Sequence, residues 1–362
     1  MPPLVERMNK PIFIVSSGRS GSTILTWCLG QHPNILPQEE SNWLGPFAID
    51  VAIGYQRGTV RGERGQLSAN FIEREEFLSR FGQTINHLIL GHRGQFEDRD
   101  LRRKAGWFPP PFNVSRSVDD PKSRWVDGTL ENSFYIYGLR RLFPQALFIH
   151  LVRDVTDVVR SLLNFFPDGR NRLVANEQTA YEYWLRKVNC CVEAEQAYGP
   201  EVIYRMRYSD IIDQPETAMR SLLDFLGEPY APECLEPLAQ RINSANVPVD
   251  FNATDPATDP TIVERARKLS DELQKTSQQR QASASVAKKL EAEFNQRVQY
   301  FANLEAKYSD AQQVVAKLQQ QFETLKGTAH DEEGGLPQQF HPFSSAKELQ
   351  GSKRSSRQTL IS

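Results

Sequence analysis

Residues 11–30, PIFIVSSGRSGSTILTWCLG, constrain this chain more than any other stretch. An apolar β-type run, Ile12–Val15, meets a small glycine-containing loop, Ser16–Thr23, which feeds a helical run beginning near Ser22. A strand, a tight loop and a helix N-terminus together make an anion site. Gly18 and Gly21 let backbone N–H groups come close to a ligand, the first helical N–H groups have no intrahelical partner, and the helix dipole favours negative charge there. Arg19 adds a planar cationic fork, and Ser20, Ser22 and Thr23 add hydroxyl donors. The loop is built for a phosphate or a sulfate. The common nucleotide loop, G-x-x-x-x-G-K-[ST], would place a lysine between Gly21 and Ser22. None stands there, which argues against an ordinary magnesium-nucleotide site.

Two further stretches repeat the plan. In residues 146–164, ALFIHLVRDVTDVVRSLLN, an apolar β-rich run ends at Val152 and Arg153-Asp154 makes the turn. Asp154 is placed as the N-cap, and Val155, Val158, Val159 and Leu162 recur at helical spacing. Arg153 and Ser161 are eight residues apart, a little over two helical turns, so both can face one pocket. In residues 202–227 a strand, Val202–Met206, leads to Arg207-Tyr208-Ser209-Asp210 and then to a helix that Gly227 stops.

Taken in order, G-R-S-G-S-T-x-L (Gly18–Leu25), the Arg153/Ser161 turn and helix, and the Tyr208 segment resemble the sulfotransferases that use 3′-phosphoadenosine 5′-phosphosulfate (PAPS). The resemblance covers about residues 10–235. It leans toward the tyrosylprotein and glycan sulfotransferases and their bacterial relatives, because Arg19-Ser20-Gly21-Ser22-Thr23 runs without a gap to His32-Pro33 and Glu39-Glu40. It implies an α/β fold, a P-loop-like parallel sheet flanked by helices, with PAPS as co-substrate and no metal. Arg19, Ser20, Gly21, Ser22 and Thr23 would then bind the 5′-phosphosulfate, Arg153 and Ser161 the 3′-phosphate, and Tyr208 would lie near the adenine. Glu40 would be the general base toward a hydroxyl acceptor (a glycan, a tyrosine-like phenol or a small metabolite), with Glu39 as its fallback. Adjacent carboxylates can raise one another's pKa toward a useful range.

The chain departs from this pattern in places. Gly128 stands where many relatives carry a lysine that contacts the leaving oxygen, Leu130 replaces a proline, Ser209 replaces a glutamate, and Asn42 stands where the tyrosylprotein enzymes carry an arginine. Arg19 is the nearest cation to fill the gap, with Lys122, Arg124, His92 and Arg93 as further candidates. Two rival readings remain: a P-loop kinase-like phosphotransferase, and a catalytically inactive sulfotransferase-like scaffold.

The 362 residues carry a formal net charge of −2, which gives no case for nucleic-acid binding. Four cysteines and six scattered histidines show neither a disulfide framework nor metal-ligand spacing. Residues 1–10 hold no secretory leader and no apolar run is long enough to span a bilayer, so a cytoplasmic location is expected. The organisation expected is a catalytic domain over 1–245, a Pro- and Asp-rich linker over 246–261, a helical coiled-coil extension over 262–326 and a polar tail over 327–362. Within the extension Phe294, Phe301, Tyr308, Val315 and Phe322 recur every seven residues, with Leu304, Ala311, Leu318 and Leu325 interleaved. That is an a/d seam, which either joins a second copy into a homo-oligomer or folds back on the catalytic domain. The Arg-rich run Arg99–Lys104 reads as a solvated helix face, with an acceptor-binding edge as the alternative, and the resemblance implies that the insert over 41–122, with its proline-rich Phe108–Phe112, shapes the acceptor cleft.

Overall fold

In a computed structural model of the protein, describing residues 10–93, 120–166, 172–239, 255–278 and 281–332, the apolar runs form one parallel sheet. Its strands are β1 (Ile12–Val15), β2 (Ile35–Pro37), β3 (Arg124–Asp127), β4 (Leu147–Val152) and β5 (Ile203–Arg207), in the order β2-β3-β1-β4-β5. The register pairs Ile12 with both Val126 and Leu147, and Phe148 with Ile203. Every residue of β1 is buried, as expected for a strand with helices on both faces.

Side chains alternate across the sheet. Ile12, Ile14, Ile149 and Leu151 join a core with Leu25, Cys28 and Leu29 of α1 (Ser22–Gly30) and with Met219, Leu222 and Leu223 of α9 (Pro215–Leu226). On the opposite face Phe13 stacks on Phe148 and meets Trp125 edge-on, with ring centroids 5.4 Å apart in each pair. Between β2 and β3 come α2 (Leu44–Thr59), α3 (Gln66–Ala69) and α4 (Arg74–Gly91); α5 (Ile136–Leu142) precedes β4. The Arg99–Lys104 and Phe108–Phe112 stretches lie outside the described residues.

Two helices follow from particular residues. α6 (Val155–Leu163) starts at Asp154, whose Oδ1 accepts hydrogen bonds from the N–H groups of Thr156 (2.8 Å) and Asp157 (3.3 Å). α7 (Glu177–Tyr198) opens with a capping box between Asn176 and Thr179 and buries Tyr181, Trp184, Leu185 and Val188, the face expected from the sequence. α7 also carries Glu195, which meets His150 Nδ1 at 2.6 Å and Arg205 at 2.5 Å, a buried ionic knot that ties the helix to β4 and β5. The short α8 (Tyr208–Asp213) begins where a turn was expected, and Gly227 ends α9 in the left-handed conformation with φ 70°.

The region after residue 255 differs from the expected arrangement. Instead of one extension from residue 262, two helices occur: α10 (Pro260–Lys275) and α11 (Ala284–Glu332), which runs past Gly327. α10 buries Ala266, Ser270 and Leu273, and the Ser270 hydroxyl accepts the N–H of Val155 at the start of α6. The chain divides into two units, 1–302 and 303–362. Within the first, Phe294 and Val298 are buried, the Phe294 ring lies 5.2 Å from Tyr137, and Arg297 donates to the carbonyl of Phe134. In the second, residues 303–332 are helical and Tyr308, Val315, Leu318, Phe322 and Leu325 are exposed. No helix among the described residues is long and apolar enough to cross a membrane.

Candidate active site

A parallel sheet delivers all its strand ends to one edge, and the segments that follow the five strands each bring a polar group there. After β1 comes the Gly18–Thr23 loop, after β2 Glu39-Glu40, after β3 Asp127–Thr129, after β4 Arg153, and after β5 Tyr208. The sheet order arrays them as Glu40, Thr129, phosphate loop, Arg153, Tyr208, with strands about 4.8 Å apart. The loop is central, the Glu40 and Tyr208 strands each stand two places to either side, and the Tyr208 ring reaches back to the loop.

The loop is conformationally unusual in the way an anion cradle requires. Arg19 has φ 67°, a left-handed backbone that a residue with a Cβ seldom adopts, and Gly21 has φ 104°. Gly21 is the N-cap of α1 and supplies no capping side chain, so the helix start relies on another acceptor. A Cβ on Gly21 would stand 2.6 Å from Tyr208 Cε2, so only glycine lets the Tyr208 ring lie against the loop. Ser20 and Ser22 are buried beneath it.

Residues far apart in the chain converge beside this loop. Arg19 Nε donates to Ser161 Oγ at 3.1 Å, and its guanidinium lies 4.0 Å from the centre of the Phe165 ring. Arg153 donates to the Arg19 carbonyl at 3.1 Å and stacks 4.7 Å over the Tyr208 ring. The Arg153 Nε is buried and has no hydrogen-bond partner among the described residues. Burial, then the neighbouring Arg153, holds Arg19 below its ordinary pKa. Two cations packed together, with an orphaned donor and a glycine cradle, fit a ligand with two anionic groups. The sequence pattern pairs Ser161 with Arg153; here Ser161 is bonded to Arg19, so the two basic pockets share a wall.

Glu40 follows β2, on the other side of the loop in the sheet order, and is exposed. Burial, then Glu131 and Asp127, raise its pKa, and Lys187 opposes them. Glu39 is exposed. The backbone between Glu40 and α2 is anchored, since the Ser41 N–H donates to Thr129 Oγ1 at 2.6 Å and Thr129 is held by Asp127 Oδ1 at 2.5 and 2.7 Å. Gly128 packs on α1: a Cβ there would meet Thr26 Oγ1 at 2.6 Å, which gives a steric reason for the missing lysine.

The proposed substitutes for that lysine have structural partners instead. Lys122 Nζ donates to the carbonyls of Gly30, His32 and Ile35, Arg124 to those of Lys10 and Leu226 and to Glu228, and Arg93 to those of Asp120 and Pro121. His92 caps the end of α4. The cation beside the base is one the sequence pattern did not single out. Lys187 of α7 is 1% exposed, donates to the Leu130 carbonyl (2.9 Å) and Glu131 (3.2 Å), and faces the rings of Phe134 and Tyr183. Burial lowers its pKa, and Glu131 opposes the shift. Among the described residues no group of His, Cys, Asp and Glu could hold a metal ion.

The family model described as "Sulfotransferase family" matches residues 11–232, and the chain belongs to that family. An uncharacterised protein of Aquifex aeolicus is 24% identical over 65% of this chain, which spans only 28% of that relative's length. An omega-hydroxy-beta-dihydromenaquinone-9 sulfotransferase of Mycobacterium tuberculosis is 26% identical over 68% of this chain and 72% of its own. Among solved structures, the sulfotransferase domain from the curacin biosynthetic pathway aligns over 79% of this chain and 97% of its own, with 19% identity and a TM-score of 0.38.

Proposed function

We propose that the protein transfers a sulfuryl group from PAPS to a hydroxyl acceptor, with Glu40 as general base. The observation that carries this reading is the convergence of Arg19, Ser161, Arg153 and Tyr208 on the Gly21 cradle from three stretches of chain. The sheet order gives the donor a direction. Its 5′-phosphosulfate sits on the central loop and the N-terminus of α1, its 3′-phosphate between Arg153, Arg19 and Ser161, and its adenine toward Tyr208, leaving the sulfuryl group turned toward Glu40.

The chemistry asks little covalent work of the protein. The acceptor hydroxyl gives its proton to the Glu40 carboxylate as its oxygen bonds to sulfur. The bond from sulfur to the bridging oxygen breaks, and the electron pair leaves on the 5′-phosphate of 3′-phosphoadenosine 5′-phosphate (PAP). Loop N–H groups, Ser22, Thr23 and Arg19 stabilise that developing charge. Glu40, with its pKa raised by burial and by Glu131 and Asp127, is a stronger base than an ordinary carboxylate.

The exposed apolar positions of residues 303–325, about three heptads of a/d spacing, support pairing with a second copy of the chain through this helix. The activity is tested with PAPS carrying radiolabelled sulfate, offered with a panel of alcohols, phenols and glycans. The expected result is label on an acceptor with stoichiometric PAP. Transfer of the γ-phosphate of ATP in place of sulfate would overturn the assignment in favour of a kinase.

A further inference from the structure

The segment that carries Glu40 leads directly into an exposed aromatic surface that the reaction itself does not use. Trp43 is the N-cap of α2, three residues after Glu40, and is 48% exposed. Its ring lies 5.5 Å from Phe47, which lies 6.1 Å from Phe81 of α4, itself 39% exposed. Leu88, two helical turns further along the same face of α4, is 55% exposed. No charged residue occurs between Asn42 and Ile49. Single exposed apolar side chains need no explanation, but a run of touching rings does.

We propose that this Trp43–Phe47–Phe81 strip is the acceptor subsite, and that the acceptor is an alcohol or phenol with an extended apolar body. The inference rests on Glu40 being the base, and place and size carry it. The Ser41–Thr129 hydrogen bond pins the Glu40–Trp43 segment to the end of β3, whose Gly128 touches the first turn of α1. Trp43 is three residues from Glu40, at most about 11 Å along the chain, so the strip is within reach of the carbon skeleton of an acceptor whose hydroxyl is at Glu40. The exposed part of the strip amounts to on the order of 300 Å², the footprint of a ligand. A stable dimer buries roughly 1,200–2,000 Å², so a second copy fits the strip poorly. Between Asn42 and Ile49 the α2 side of the strip carries no charge, and Arg80 on the α4 side is paired with Glu76 at 3.3 Å, an arrangement poorly matched to an acidic peptide or a phosphorylated sugar.

The test is equilibrium binding, which does not depend on turnover. Primary alcohols of four to ten carbons, with glucose as the polar control, are titrated into the full chain with and without PAP by calorimetry. Affinity of the wild type should rise by up to about fourfold per added methylene. Trp43→Ala and Phe81→Ala should flatten that dependence without altering PAP affinity, and Trp43→Phe should restore most of it. Affinity independent of chain length, or the same dependence in both alanine variants, overturns the proposal. So does a shift of the variants to a smaller species in sedimentation, which would make the strip a contact between copies. Failure of PAP itself to bind counts against the donor assignment, and the alcohol series without PAP still reads the strip.

Discussion

At the scale of single residues, the proposed chemistry turns on Glu40 and the charges around it. Glu40→Gln keeps the shape but cannot take a proton, so kcat should fall by about a hundredfold or more while PAP affinity is retained. The pH profile has a definite sign. Burial, Glu131 and Asp127 raise the Glu40 pKa, so kcat/KM should be lost as pH falls through a value above the usual carboxylate range. Lys187 opposes that rise, so Lys187→Met should move the acid limb still higher; a limb that stays put in the variant would separate Lys187 from the base. Gly128→Lys should not recover the relatives' lysine. Its Cβ would meet Thr26 Oγ1, and denaturant titration should show a loss of about 1–3 kcal/mol.

At the scale of elements, α6 and α7 position the site more than any loop does. Asp154 caps α6 and fixes the turn that aims Arg153, so Asp154→Ala should cost about 1 kcal/mol of stability and weaken PAP binding as well. Glu195 on α7 is a purely structural tie. Burial alone would raise its pKa, but the hydrogen bonds from His150 and Arg205 outweigh that and hold it below its ordinary value. Its stabilisation is therefore present above the unfolded carboxylate pKa and is lost as pH falls through the lowered one. What the sequence disclosed follows the same division. The strand–loop–helix of residues 11–30 and the Asp154 cap were legible because local chemistry, a glycine loop and a capping carboxylate, decides them. Lys187 was hidden because it reads as the polar face of an amphipathic helix; only the Leu130 carbonyl and Glu131, more than fifty positions away, make its burial tolerable. The bond from Arg19 to Ser161, and Phe165 beneath it, were equally beyond reach, since no spacing rule links positions 142 residues apart.

At the scale of the whole molecule, the C-terminal helix has two kinds of surroundings. Phe294 and Val298 are buried within the first unit, whereas Tyr308, Val315, Phe322 and their neighbours are exposed in the second. Sedimentation should show a chain ending at residue 302 as a monomer with PAP affinity intact and the full chain as an oligomer; a monomeric full chain would refute pairing through this helix. The five strand ends bring Glu40, the loop, Arg153 and Tyr208 to one edge of the sheet, where the proposed donor with two anionic groups would lie. The most direct test is calorimetric titration of PAP and of ATP, without added metal, into the wild type and Arg153→Ala. PAP should bind the wild type tightly, ATP weakly, and the variant should lose PAP affinity by tenfold or more with its fold unchanged. Equal affinity for PAP in the variant, or a preference for ATP, would contradict the account.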